Sequence, residues 1–171
     1  MQEDEIVNRV ANSTLVTFDL EQYFQPGRRV AIDIKDQLHE GLVLREKEFR
    51  AYIKSHDWSQ YNGSFVAIHC SSDAIVPTWA FMLLSLALQP YVRKVIFGSL
   101  DDLEQILFKE ALDAVDWSQY TNSKVVVKGC SKVAVPVSAY MEAMQHLRPV
   151  AASIMFGEPC STVPLFKKDK N

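Results

Sequence analysis

Two stretches of the chain read almost alike: DWSQYNGSFVAIHCSSDAIVP at residues 57–77 and DWSQYTNSKVVVKGCSKVAVP at residues 116–136. Without any gap, 14 of the 34 residues in 57–90 are identical to their counterparts in 116–149. In each copy a polar turn leads into a β-branched run, a Cys-Ser loop follows, and a proline begins a helix, where its fixed φ suits the first turn. This pattern predicts an internal duplication of one strand–helix unit.

Strand and helix patterns also alternate along the rest of the chain. Strands are predicted at 29–34, 65–68, 94–99, 124–127 and 152–156, and helices at 44–56, 100–115, from Pro77 to Pro90 and from Pro136 to Pro149. Crossover helices allow neighbouring strands to run parallel. We therefore expect an α/β layered fold with one mainly parallel sheet of about five strands. Pro90 and Pro149 are expected to stop their helices.

The 171 residues of the chain are the size of one large domain or two very small ones, and the repeated alternation of strands and helices favours one domain. A single α/β domain over residues 1–171 is expected, with an N-terminal arm at 1–27 and a short charged tail at 167–171. The formal net charge is −3, which argues against a nucleic-acid partner because phosphate binding needs clustered Lys and Arg. No apolar run approaches the ~18 residues of a membrane span. The acidic start MQEDE is unlike a signal peptide, so we expect a cytoplasmic protein.

All three cysteines follow predicted strands, and each is followed by serine: Cys70, Cys130 and Cys160. Ligands of open parallel sheets bind beyond the carboxyl ends of the strands, so we expect the three sulfurs to converge there. Three thiolates suit zinc, iron or an iron–sulfur cluster. The candidates for a fourth ligand are Asp73, Glu158, His69 and water, of which Asp73 and Glu158 are preferred.

The predicted function is a metal- or iron–sulfur-binding accessory protein in metal or sulfur handling. One alternative is an enzyme with Cys70 or Cys130 as the nucleophile. His69 is a poor base for Cys70 in that reading, because adjacent strand residues point to opposite faces unless the strand has already ended. Another alternative is a structural or interaction module, since free cysteine is most often a small buried apolar residue. The apolar residues 80–88 would also permit a homo-oligomer.

Four strings in the sequence carry a family resemblance: EIVNRVANS at 5–13, CSSDAIVPTWA at 70–80, KGCS at 128–131 and GEPCSTVP at 157–164. From about residue 5 to residue 167 the chain resembles the bacterial domain-of-unknown-function family 2480. The family has no assigned activity that could be carried over. Its genes often lie beside those for iron–sulfur cluster assembly and sulfur transfer, so the resemblance implies iron–sulfur assembly proteins as partners.

Overall fold

The structure is a computed structural model that describes residues 15–129, 132–158 and 161–169. The chain divides into two compact units, which we name by their place in the sequence. The middle unit is Gln25–Leu107, and the terminal unit combines Met1–Phe24 with Phe108–Asn171. No helix of the described residues is both long enough and apolar enough to cross a membrane.

The described residues form seven strands, four α-helices and four short 3₁₀ turns. The strands are β1 (Leu15–Asp19), β2 (Arg29–Asp33), β3 (Phe65–His69), β4 (Lys94–Phe97), β5 (Lys124–Lys128), β6 (Ser153–Glu158) and β7 (Ser161–Lys167). The α-helices are α1 (Glu46–Ser55), α2 (Thr78–Leu88), α3 (Leu100–Asp113) and α4 (Val137–Val150). The 3₁₀ turns are Leu20–Tyr23, Ile34–Gln37, Trp58–Tyr61 and Trp117–Tyr120.

The middle unit is built on a parallel sheet with the strand order β2-β3-β4. Its central strand is buried on both faces, as expected for a continuous apolar run in a parallel sheet. Val66 and Ile68 belong to the core that contains α1 and α2. Phe65 and Ala67 pack with the first half of α3. The boundary between the two units falls within α3, after Leu107.

The terminal unit is built on a sheet with the order β1-β5-β6-β7. The first three strands are parallel, and β7 runs antiparallel to β6. Val125 and Val127 of β5 pack in one core with Leu112 of α3 and with Ala143 and Leu147 of α4. The carboxyl ends of β1, β5 and β6 therefore meet at one edge of this sheet.

Strand pairing follows the same register in both units. Arg29 of β2 lies opposite Phe65 of β3, and Leu15 of β1 lies opposite Lys124 of β5. Phe65 and Lys124 are separated by the same offset as the two DWSQY stretches. β2 and β1 therefore hold equivalent places beside the strand that follows each Trp-Ser-Gln-Tyr turn.

The two Trp-Ser-Gln-Tyr turns are also held by equivalent contacts. The indole N–H of Trp58 donates to the carbonyl oxygen of Ile53 at 2.8 Å, and that of Trp117 donates to the carbonyl oxygen of Leu112 at 3.1 Å. In both turns, the aspartate before the tryptophan accepts a hydrogen bond from the serine N–H after it. Each tryptophan thus ties the end of a helix to the turn that enters the next strand.

The strands lie in two sheets, one of four strands and one of three, instead of the predicted single sheet of about five. The alternation of strand and helix patterns locates strands without specifying which of them pair. β1 lies within the segment predicted as the N-terminal arm, residues 1–27. β7 lies outside the predicted strands, and it contains Pro164, a residue that disfavours a central strand. Pro164 is accommodated because β7 is an edge strand and Pro164 sits beside a register shift.

The predicted helices and their caps agree with the structure apart from one stop signal. Ser99 and Asp102 form the expected reciprocal cap, with the Ser99 N–H bound to Asp102 Oδ2 at 2.8 Å and the Asp102 N–H bound to Ser99 Oγ at 3.1 Å. The prediction that Pro149 stops its helix is wrong, since α4 continues to Val150. In the last turn the proline removes only one intrahelical hydrogen bond.

Candidate functional site

The predicted ligands are described only in part. Cys70 follows β3 directly in the middle unit, as a half-buried free thiol. Asp73 is exposed in the same loop, and Glu158 is the exposed last residue of β6 in the terminal unit. Cys130 and Cys160 lie outside the described residues. The convergence of the three sulfurs therefore stays a prediction.

An aspartate at the end of β2 organises the loop around Cys70. Asp33 Oδ1 accepts hydrogen bonds from the N–H groups of Lys35 and Ser71, both at 3.1 Å. Asp33 Oδ2 accepts a third from the Ser71 hydroxyl at 2.5 Å. The parallel register places Asp33 opposite His69, whose Nε2 lies 3.8 Å from Asp33 Oδ2. The two bonds from Ser71 therefore fix this residue, which follows Cys70, to the end of the neighbouring strand β2.

The electrostatics of Asp33 show that it acts as an ionised anchor. Partial burial tends to raise the pKa of Asp33. Hydrogen bonds from the Ser71 hydroxyl and from the N–H groups of Lys35 and Ser71 outweigh that effect and, with the nearby His69, lower this pKa to about 2. Asp33 is therefore a carboxylate near neutral pH, and its oxygens are engaged in positioning the loop.

Cys70 and His69 are placed differently from two consecutive strand residues. β3 ends at His69, so the alternation of side chains between the two faces of the sheet stops before Cys70. The Cys70 thiol donates to the carbonyl oxygen of Ser72 at 3.7 Å, and Ser72 Oγ donates to the carbonyl oxygen of Gly41 at 2.8 Å. Among the described residues, the buried His69 Nδ1 has no hydrogen-bond partner.

The terminal unit carries a similar cluster at the end of β1. Asp19 Oδ1 accepts a hydrogen bond from the N–H of Glu21 at 3.1 Å, as Asp33 does from Lys35. Lys128 lies opposite Asp19 in the register, with its Nζ 3.4 Å from Asp19 Oδ2. The Cys-Ser pair follows Lys128 after one glycine in the sequence. A cation thus pairs with the strand-end aspartate here, where the middle unit has a histidine.

A close contact explains why the cysteines of the two repeats are one position out of register. Gly129 is the counterpart of Cys70 in the ungapped alignment. A Cβ atom at position 129 would lie only 2.6 Å from the hydroxyl oxygen of Tyr140. The counterpart of Tyr140 in the middle unit is Phe81, which has no hydroxyl. A side chain at Gly129 would therefore require the Tyr140 hydroxyl to move.

Sequence reasoning missed a second polar cluster, which lies in the terminal unit. Asp113, Glu142 and His146 offer ligand atoms that all lie within 4.8 Å of one another. The Nζ of Lys109 lies 2.9 Å from both oxygens of Asp113 and 3.3 Å from Glu142 Oε1. Hydrogen bonds to Asp113 and Glu142 raise the pKa of Lys109. This ammonium group supplies the positive charge, so the cluster is an ion-pair network.

The carboxylate of Asp33 is expected to stabilise the fold in a pH-dependent way. Asp33→Asn should lower the free energy of unfolding by about 1–2 kcal/mol near neutral pH, because charge-assisted hydrogen bonds are lost. The folded pKa of about 2 lies below the ordinary value of 3.8. The stabilisation is therefore complete above about pH 4 and disappears as the pH falls through about 2. Urea unfolding of both proteins across this range measures it.

The exposed neighbour Asp36 provides the control for this prediction. Asp36→Asn removes the same charge three residues after the end of β2 and should leave the unfolding free energy within about 0.5 kcal/mol of the wild type. A difference between wild type and Asp33→Asn that stays constant down to about pH 2 would contradict the assignment of Asp33 as an ionised anchor.

The chain is an α/β protein of two units. In each unit an aspartate ends one parallel strand, and a Cys-Ser pair follows the neighbouring strand in the sequence. The family model described as "Protein of unknown function (DUF2480)" matches residues 4–168. The chain belongs to this family, which confirms the resemblance seen in the sequence. No curated protein and no solved structure matches the chain.

Proposed function

We propose that this chain is a metal- or iron–sulfur-binding accessory protein in metal or sulfur handling. Cys70, Cys130 and Cys160 are the thiolate ligands, with Asp73 or Glu158 as the preferred fourth ligand. Zinc, iron and iron–sulfur clusters are the cofactors that thiolates favour. The protein acts in the cytoplasm, where thiols stay reduced, with iron–sulfur assembly proteins as its partners.

The observation that carries this proposal is the anchored loop around Cys70. The thiol lies at the carboxyl end of a parallel strand, the usual place for a ligand in such sheets. Two hydrogen bonds to Asp33, from the N–H and the hydroxyl of Ser71, fix this residue beside Cys70. A ligand held on a rigid loop binds metal with a smaller loss of conformational entropy. Because the oxygens of Asp33 are already engaged, Asp33 positions the loop and is not itself a ligand.

The sequence positions of the other two cysteines support the same proposal. Cys130 comes two residues after the end of β5, and Cys160 comes two residues after the end of β6. β5 and β6 are neighbouring parallel strands of the terminal sheet. Their carboxyl ends lie at one sheet edge, where ligands from adjacent strands combine in α/β folds.

We further propose that the two units arose by duplication of one strand–helix unit, with residues 57–90 and 116–149 as its best preserved part. The identical residues, the matching strand registers and the equivalent tryptophan contacts support this origin. The similar clusters around Asp33 and Asp19 then derive from one ancestral strand-end site.

The test is the metal content of the full chain purified without oxygen, together with its visible absorption spectrum. We expect close to one metal ion or cluster per chain, lost from Cys70→Ala, Cys130→Ala and Cys160→Ala. A brown protein identifies iron–sulfur, and a colourless protein with zinc identifies a zinc site. The matched control is His146→Ala, which disrupts the only other group of three potential ligands among the described residues.

Three outcomes would overturn the proposal: a chain without metal, metal that all three cysteine variants retain, or metal that His146→Ala alone removes. A metal-free chain whose Cys70 thiol is alkylated much faster than an ordinary thiol, and slowly in His69→Ala, would favour the thiol enzyme. The specific observation behind that second candidate is that β3 ends at His69, beside the carboxylate of Asp33. Slow alkylation of all three thiols would indicate a structural module.

A further inference from the structure

An apolar groove lies between α2 and β4 in the middle unit. Its volume is about 420 Å³, and its lining includes Phe81, Met82, Leu86, Val95 and Phe97. Three of these side chains are largely exposed: Met82 by 60%, Leu86 by 64% and Phe97 by 70%. Contiguous exposed apolar side chains of this kind mark interaction surfaces on soluble proteins.

The terminal unit has an equivalent groove between α4 and β6, with a volume of about 350 Å³. The repeat offset relates Met82 to Met141 and Phe97 to Phe156, and all four side chains line their grooves. The terminal groove has one additional wall, because Leu165 of β7 also lines it. In the terminal unit, β7 pairs antiparallel with β6 and therefore forms one side of the groove.

The described residues provide no equivalent of β7 in the middle unit. β4 pairs with β3 on one side, and no other described strand pairs with it. After Phe97 the chain turns at Gly98, which has φ = 136°, and enters α3 at Leu100. The chain direction therefore supplies no hairpin partner to β4. Among the residues that the structure describes, no strand occupies this groove or pairs with the outer edge of β4.

We propose that the occupant is β4 of a second copy of this chain, paired antiparallel to form a two-fold symmetric dimer. The terminal unit sets the polarity, since β7 runs antiparallel to the equivalent strand β6. A two-fold axis that passes between Ile96 and its symmetry mate places Val95 opposite Phe97 of the second copy. An isologous interface of this kind uses one surface twice, and it joins the two middle sheets into one sheet of six strands.

The side-chain directions of β4 fit this arrangement. Val95 packs in the core with α2, and the Phe97 ring meets the Phe81 ring of α2 edge-on with centroids 5.0 Å apart. Ile96 packs on the opposite face, with the first half of α3. Val95 and Phe97 therefore share the groove face. In the dimer, the exposed Phe97 of each copy covers Val95 and the groove of the other.

The experiment is sedimentation equilibrium of the full chain over a range of protein concentrations. The wild type should have about twice the monomer mass of 19.4 kDa. Met82→Lys and Phe97→Lys should each raise the dissociation constant of the dimer by about 30-fold or more, the size expected for the loss of an interface hot spot. The matched control is Met141→Lys, which makes the same change at 62% exposure in the terminal groove and should leave the dimer intact.

Three results would overturn the proposal. They are a wild-type chain that stays monomeric at high concentration, a dimer that neither substitution weakens, and a dimer that only Met141→Lys dissociates. A monomer that binds a synthetic peptide of β7, residues 161–167, in the middle groove would replace the second copy with an extended peptide as the occupant. Circular dichroism of each variant verifies that a change in mass does not reflect unfolding.

Discussion

Replacing Trp58 with alanine is expected to lower the free energy of unfolding of the middle unit by about 3–5 kcal/mol. The Trp58 side chain is 7% exposed and belongs to the core of this unit. Its ring packs edge-on against Tyr52 with centroids 5.6 Å apart, and its N–H satisfies the carbonyl oxygen of Ile53. Truncation leaves both a cavity and a carbonyl group without its hydrogen bond.

The repeat provides the matched variant for this prediction. Trp117 makes the equivalent hydrogen bond but is only partly buried at the edge of its core. Trp117→Ala should therefore lower the unfolding free energy by less than about 3 kcal/mol. Urea unfolding followed by far-ultraviolet circular dichroism measures both variants without relying on the tryptophan signal. Equal losses for the two variants would show that burial does not determine the effect.

The second large effect is expected from Gly157→Ala, near the end of β6. Gly157 has φ = 122°, in a region of backbone conformation that side chains rarely adopt. A Cβ atom there would lie 2.6 Å from the carbonyl oxygen of Ser161, which is backbone and cannot rotate away. Strain and overlap together should lower the free energy of unfolding by about 2–4 kcal/mol.

Gly63→Ala provides a comparison for that loss, because it places a side chain at a positive φ without any overlap. Gly63 also has a positive φ, of 70°, but no atom lies within 4 Å of the position of its Cβ. The alanine at position 63 should therefore show only the backbone penalty, about 1–2 kcal/mol. Urea unfolding of both variants gives the comparison. If Gly157→Ala is no more destabilising than Gly63→Ala, the overlap with Ser161 is relieved by movement of β7.

The strands and helices of the repeat could be predicted because local rules determine them. Residues 65–68 and 125–127 are β-branched or apolar runs that are buried in the sheets, and runs of this kind can be recognised in a single sequence. Pro77 and Pro136 precede α2 and α4 as predicted. Both the burial pattern of a strand and the conformational restriction of a proline depend on residues close together in the chain. A single sequence is therefore enough to predict these strands and helices.

The pairing of strands and the site contacts depend on residues far apart in the chain. The bond from Ser71 to Asp33 joins residues 38 positions apart, and no local pattern indicates it. The close contact at Gly129 depends on the Tyr140 hydroxyl, which the next helix supplies. The pair Glu142 and His146 does have the i,i+4 spacing of helix neighbours. Lys109 and Asp113 have the same spacing, and these two pairs were the available signal for the ion-pair network.

The chain order of the two units has a consequence for synthesis on the ribosome. Leu15 of β1 pairs with Lys124 of β5, and the entire middle unit lies between them in the chain. At 5–20 residues per second, β1 emerges roughly 5–20 s before its partner strand exists. The middle unit can fold during that interval. Phe18, which is 1% exposed in the folded chain, therefore remains an exposed apolar side chain until β5 has been synthesised.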